Sequence, residues 1–133
     1  MSNKRKEMNA ALQEHVVPVL RGMGFKGSLP HFRRQQPARI DLLTFQFDRH
    51  GGGFVVEVAT CGVDGTEMHW GEQIPPNKVT AHDMYPPQRQ RLTPVGAEDH
   101  WFRYDRWWGC RRATKELLSL LKSRAQDLWE ETS

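Results

Sequence analysis

The stretch RIDLLTFQFDRHGGGFVVEVATCGV, residues 39–63, decides the fold class. Leu43, Phe45 and Phe47 alternate with Thr44 and Gln46 over residues 39–48, a period of two that belongs to a strand with one apolar face. Arg49-His50-Gly51-Gly52-Gly53 then makes a turn. Residues 54–63 resume as a second strand, with Val56 and Val58 on one face and Val55, Glu57 and Ala59 on the other. Two such runs about a glycine-rich turn predict a β-hairpin, with Glu57 facing solvent.

On the N-terminal side, Met8, Leu12, Val16, Leu20 and Met23 recur at three- and four-residue spacing, which predicts a helix over about 5–22. Pro18 lies inside this pattern and is expected to kink it or split off its last turn. Gly22 and Gly24 end the helix, and a short strand around 29–34 is interrupted by Pro30. On the C-terminal side, residues 64–98 carry Pro75-Pro76, Pro86-Pro87 and Pro94 and lose periodicity, so they predict a long loop with one short strand near 89–92. His100, Phe102 and Tyr104 alternate as an edge strand. Leu117, Leu118, Leu121, Ala125 and Leu128 form the apolar stripe of a second helix over about 111–130. The predicted architecture is a single α+β domain over 1–133. It is an antiparallel sheet of three to five strands with an N-terminal and a C-terminal helix packed on one face.

Composition narrows the function classes. The chain has 133 residues, 26% of them charged, and a net charge of +3. Its basic residues come in short groups, such as Arg33-Arg34 and Arg111-Arg112, each diluted by acids or apolar residues. Nucleic acid is therefore left open as a partner without a basic patch to support it. No apolar run reaches the length of a membrane span, no secretory leader is visible, and Cys61 and Cys110 are 49 positions apart with no CxxC. These features predict a cytoplasmic protein with reduced, unpaired thiols.

No motif announces a reaction. Six histidines, at 15, 31, 50, 69, 82 and 100, show no close ligand spacing and no HExxH, so no metal and no cofactor is expected. Cys110 precedes a helix and Arg111-Arg112, a setting that can favour a thiolate, but a small apolar residue at a helix entrance is the commoner role. Asp41 or Asp48 followed by Glu57 suggests the acids of a metal-dependent nuclease, yet Ala59 stands where the lysine should be. The unusual stretch is His100-Trp101-Phe102-Arg103-Tyr104-Asp105-Arg106-Trp107-Trp108. Trp101 and Phe102 are expected in the core, and one of Trp107 and Trp108 at the surface.

Three runs carry a resemblance: Val19-Leu20-Arg21-Gly22-Met23-Gly24-Phe25-Lys26, then Phe32-Arg33-Arg34, then Leu43-Thr44-Phe45-Gln46-Phe47. With Phe54-Val55-Val56-Glu57-Val58, Asp99-His100-Trp101-Phe102 and a C-terminal helix, they resemble the bacterial domain-of-unknown-function family numbered 4304. Glu57 stands where that family usually has Asn. The resemblance implies no established activity, and immunity partners of toxins are an analogy at the level of small stand-alone domains. The residues themselves favour a non-enzymatic binding domain with a protein partner. Its surface would be Tyr85, Arg103, Arg106, Trp107 and Trp108, joined by Gln46, His82 and Arg89. The alternative is an enzyme acting on nucleic acid or a phosphorylated ligand through Gln46, Glu57, His82 and Arg89 or Arg91.

Overall fold

The computed structural model describes residues 3–106 and 108–132. The N-terminal helix forms in three pieces: α1 (Asn3–Ala11), a π-helical turn over Leu12–Val16, and α2 (Val17–Gly22). The wide turn lies immediately before Pro18, where the missing N–H and the ring's crowding of the preceding carbonyls oppose a regular α-turn. Met8, Leu12, Val16 and Leu20 stay on one face and are fully buried.

Six strands make the main sheet: β1 (Lys26–Ser28), β2 (His31–Gln35), β3 (Ile40–Phe47), β4 (Gly53–Cys61), β7 (Arg89–Arg91) and β8 (Phe102–Arg103). That is one more than the sequence predicts, because Lys26–Ser28 forms an additional strand ahead of the expected one and pairs with it across Leu29-Pro30. All pairings are antiparallel, in the order β1-β2-β3-β4-β7, with β8 beside β7 on the outer edge of β4. The central hairpin keeps its register from Ile40↔Cys61 to Phe47↔Phe54. Gly51 and Gly52 at φ +88° and +90° supply the left-handed backbone that its turn requires.

The C-terminal helix breaks at Arg124 into α3 (Gly109–Ser123) and α4 (Ala125–Thr132). Both pieces lie on the same sheet face as the N-terminal helix. The core there joins Leu12, Val16, Phe45, Val56, Val58, Leu117 and Leu121, as the periodicities predict. Trp129 of α4 is wholly buried and donates its indole N–H to the Leu42 carbonyl at 2.9 Å. Alternation along β3 also puts Asp41 on this face. Its fully buried carboxylate accepts from Arg34 at 2.7 Å, Arg39 at 2.7 Å and Gln36 at 3.1 Å.

The opposite face departs from expectation. Residues 64–88 fold back over it, with a small hairpin, β5 (Thr66–Glu67) and β6 (Gln73–Ile74), and two single 3-10 turns, Ala81–Asp83 and Pro86–Gln88. Val79 and Ala81 are buried there against Ile40, Leu42, Ala59 and Cys61 in a second apolar cluster. Glu57, expected in solvent, is consequently only 9% exposed. Period-two patterning reports which face a residue takes, not what later covers that face. Among the described residues no helix is long and apolar enough to cross a membrane.

Candidate functional site

A row of polar side chains crosses the helix-free face. The registers His31↔Thr44, Thr44↔Glu57 and Glu57↔Arg91 place an imidazole, a hydroxyl, a carboxylate and a guanidinium side by side on β2, β3, β4 and β7. His31 Nδ1 and Thr44 Oγ1 share a hydrogen bond at 3.0 Å. The 3-10 turn Ala81–Asp83 sets His82 above the row, its Nε2 3.2 Å from Glu57 Oε1. A carboxylate can only accept, so the imidazole N–H donates. Arg89 approaches the same oxygen at 3.7 Å, while Arg91 turns to Asp99 at 2.7 Å. Burial lowers the His31 pKa, helped by His82 and Arg33 and opposed by Asp83.

His82 and Arg89 also line a cleft of about 310 Å³ formed within the proline-rich loop, between its hairpin and its 3-10 turns. Its aromatic wall is Trp70, His69 and Tyr85, with ring centroids 4.7 Å apart for His69–Trp70 and 6.3 Å for His69–Tyr85. Trp70 is 61% and Tyr85 54% exposed. Local hydrogen bonds shape the turns that carry them. Hydrogen bonds Met68 N–H→Glu72 O and Gly71 N–H→Met68 O fold the 68–72 turn, and the Trp70 indole N–H donates to Glu72 at 3.1 Å. Tyr85 leads into the turn Pro86–Gln88, where Gln88 Oε1 accepts from the Tyr85 backbone N–H.

This architecture has a family counterpart. The model of the family DUF4304, a domain of unknown function, matches residues 16–131. The chain belongs to this family. No curated protein and no solved structure matches it. The match begins at the end of the N-terminal helix's wide turn and takes in every strand and nearly all of the C-terminal helix, so the polar row and the cleft lie inside the family's own unit rather than on an appendage.

The DUF4304 domain brings together only part of the site expected from sequence. His82, Arg89 and Tyr85 share the cleft. Gln46, exposed on β3, follows Thr44 on the same sheet face but is no part of the cleft. Arg103 lies on this face too, paired with Gly53 at the far end of β4. Its hydrogen bond to Asp105 at 2.7 Å raises the arginine's pKa and lowers the aspartate's. Arg106 is exposed, and Trp108 lies in a separate recess with Arg111, Arg112 and Lys115 of α3. Trp107 lies outside the described residues. The aromatic–arginine stretch and Tyr85 therefore do not form one surface. Phe102 is core as expected, whereas Trp101 is 37% exposed beside the Arg91 guanidinium.

The nuclease acids do not converge: Asp41 and Glu57 occupy opposite faces of the sheet, and Asp48 lies past the end of β3 with its backbone N–H on the Gly53 carbonyl, four positions along β4 from Glu57. Among the described residues no three His, Cys, Asp or Glu side chains are grouped to hold a metal ion. Both cysteines are free, and neither is activated. Burial pushes the Cys61 thiol up to about 11, and burial with Glu7 nearby raises that of Cys110. Trp70, His69 and Glu67 escape the sequence reading. A tryptophan inside a Gly/Pro-rich loop with no strand period was the available signal.

Proposed function

We propose that this DUF4304 domain is a non-enzymatic binding domain that engages a protein partner through the cleft within its proline-rich loop. One observation carries this. A loop anchored by its own buried cluster nevertheless holds a tryptophan and a tyrosine largely in solvent. Tryptophan and tyrosine are among the commonest anchors of protein interfaces. Methionines 68 and 84 at the cleft add the adaptable apolar surface that such sites favour. The proposal places the domain in the cytoplasm, in keeping with two free thiols.

An enzyme acting on nucleic acid or a phosphorylated ligand would have Glu57, His82 and Arg89 gathered for it. The local charge favours the first role, since Arg89 is offset by Glu57 and Arg91 by Asp99.

The test is affinity capture from cell extract with the wild-type chain and with the Trp70→Ala/Tyr85→Ala double variant, followed by a Kd measurement on each reconstituted pair. Loss of both rings should weaken a purified partner by about 2 kcal/mol or more, roughly 30-fold. Thermal stability should change by no more than about 0.5 kcal/mol, because both rings are exposed. Equal capture and equal Kd for the two proteins would refute the proposal.

A further inference from the structure

The cleft has a sign. Glu67 and Asp83 line it, Glu57 contacts His82 and Arg89 from outside the lining, and Glu72 holds the Trp70 indole. Among the described residues the one guanidinium or ammonium lining it is Arg89, already 3.7 Å from Glu57. Two carboxylates, Glu67 and Asp83, therefore line the cleft against one cation, which Glu57 offsets from outside the lining, in a chain whose net charge is +3. The hairpin segment 64–74, DGTEMHWGEQI, contains Asp64, Glu67 and Glu72 and no lysine or arginine.

The aromatic wall complements that sign. The Trp70 N–H is spent on Glu72, so what this residue offers a ligand is the face of its ring, which carries negative potential. Tyr85 presents a second ring across His69. A cation near aromatic faces, with carboxylates close by, is attracted by both the ring quadrupoles and the net charge. An anion would meet repulsion from the same groups. The cleft, about 310 Å³, is at the small end for ligand sites and suits one inserted side chain.

We infer that the cleft receives a basic side chain, arginine or lysine, projecting from the protein partner. This rests on the interaction role proposed above and adds its chemistry. Asp83 is committed to the Thr80 backbone N–H at 2.8 Å and keeps the 3-10 turn in place. Glu67, exposed on β5, carries no such duty and is the carboxylate that meets the incoming charge. Arg89, and His69 and His82 in their protonated forms, oppose it.

The experiment uses the full chain, labelled with ¹⁵N, and three probes: the acetylated, amidated tripeptides Gly-Arg-Gly, Gly-Lys-Gly and Gly-Glu-Gly. The Trp70 indole N–H signal, assigned with Trp70→Phe, reports binding. The arginine and lysine peptides should shift it saturably, with the glutamate peptide at least tenfold weaker. Glu67→Gln should weaken the arginine peptide several-fold without altering the melting temperature, and raising salt from 0.05 to 0.5 M should weaken it further. An arginine preference over lysine would identify guanidinium stacking, and equal binding would identify simple charge; either supports the inference. Binding of the glutamate peptide as tight as that of the arginine peptide, or no shift with any peptide, overturns it. Tetramethylammonium binding while the peptides do not overturns it as well, since the ligand is then a small free cation. If the peptides fail yet the Trp70→Ala/Tyr85→Ala variant loses its captured partner, the interaction stands and only the basic anchor is wrong.

Discussion

Asp41→Asn tests whether the buried carboxylate beneath the C-terminal helix holds the two layers together. The side chain has no exposed surface and accepts four hydrogen bonds: Arg34 Nε at 2.9 Å and Nη2 at 2.7 Å, Gln36 Nε2 at 3.1 Å and Arg39 Nε at 2.7 Å. Arg34 is bound in turn to the Met23 carbonyl and to Gln126 of α4, and its guanidinium lies 4.8 Å from the Phe25 ring centre and 4.9 Å from that of Trp129. The asparagine keeps the shape but removes the charge. It also turns an N–H₂ toward arginine or glutamine donors, wherever the amide is flipped. Removing one partner of a buried ion pair costs about 3–5 kcal/mol. The two arginines keep 12% and 22% of their side chains in solvent, so part of their charge is rehydrated and the low end, about 3 kcal/mol, applies. For a domain of this size that is a fall in Tm of roughly 12 °C. The assay is urea unfolding followed by circular dichroism, with calorimetry for Tm. A loss below about 1 kcal/mol would show that the network is interchangeable with neutral hydrogen bonding and refute the reasoning.

Two further outcomes follow from the titrating groups. Cys61, with its thiol pushed up to about 11, and Cys110, also raised, should react slowly with Ellman's reagent at pH 8 in the native chain and release two equivalents at once in guanidinium; fast native reaction would contradict the burial of Cys61. Burial holds the folded His31 pKa below the ordinary histidine value of 6.5, so the unfolded chain takes up that proton first, and native stability falls as pH drops from 6.5 toward the folded value. Urea unfolding at pH 7.5 and 5.5 should therefore show a smaller pH loss for His31→Gln than for wild type, and parallel losses would sink the assignment.

The sequence by itself determined the local elements and their faces. Period-two alternation in 39–63 placed the central hairpin, and three- and four-residue spacing placed both helices, because those periods are set by backbone geometry that each segment carries alone. The same alternation already put Asp41 in line with Leu43 and Phe45, toward the core. Only the tertiary structure decided what covers each face. Residues 64–88 close over Ile40, Leu42, Ala59 and Cys61, burying Glu57 and bringing His82 to it from 25 positions away. β7 and β8 share the edge of β4. These contacts depend on how a loop without periodicity closes on a preformed sheet, and on which apolar residues it can bury there. Val79 and Ala81 can be buried against that sheet, whereas Trp70 and Tyr85 are left over, and so among the described residues the most exposed aromatic rings lie at the cleft, ahead of Trp101 and Trp108 in the tryptophan-rich stretch.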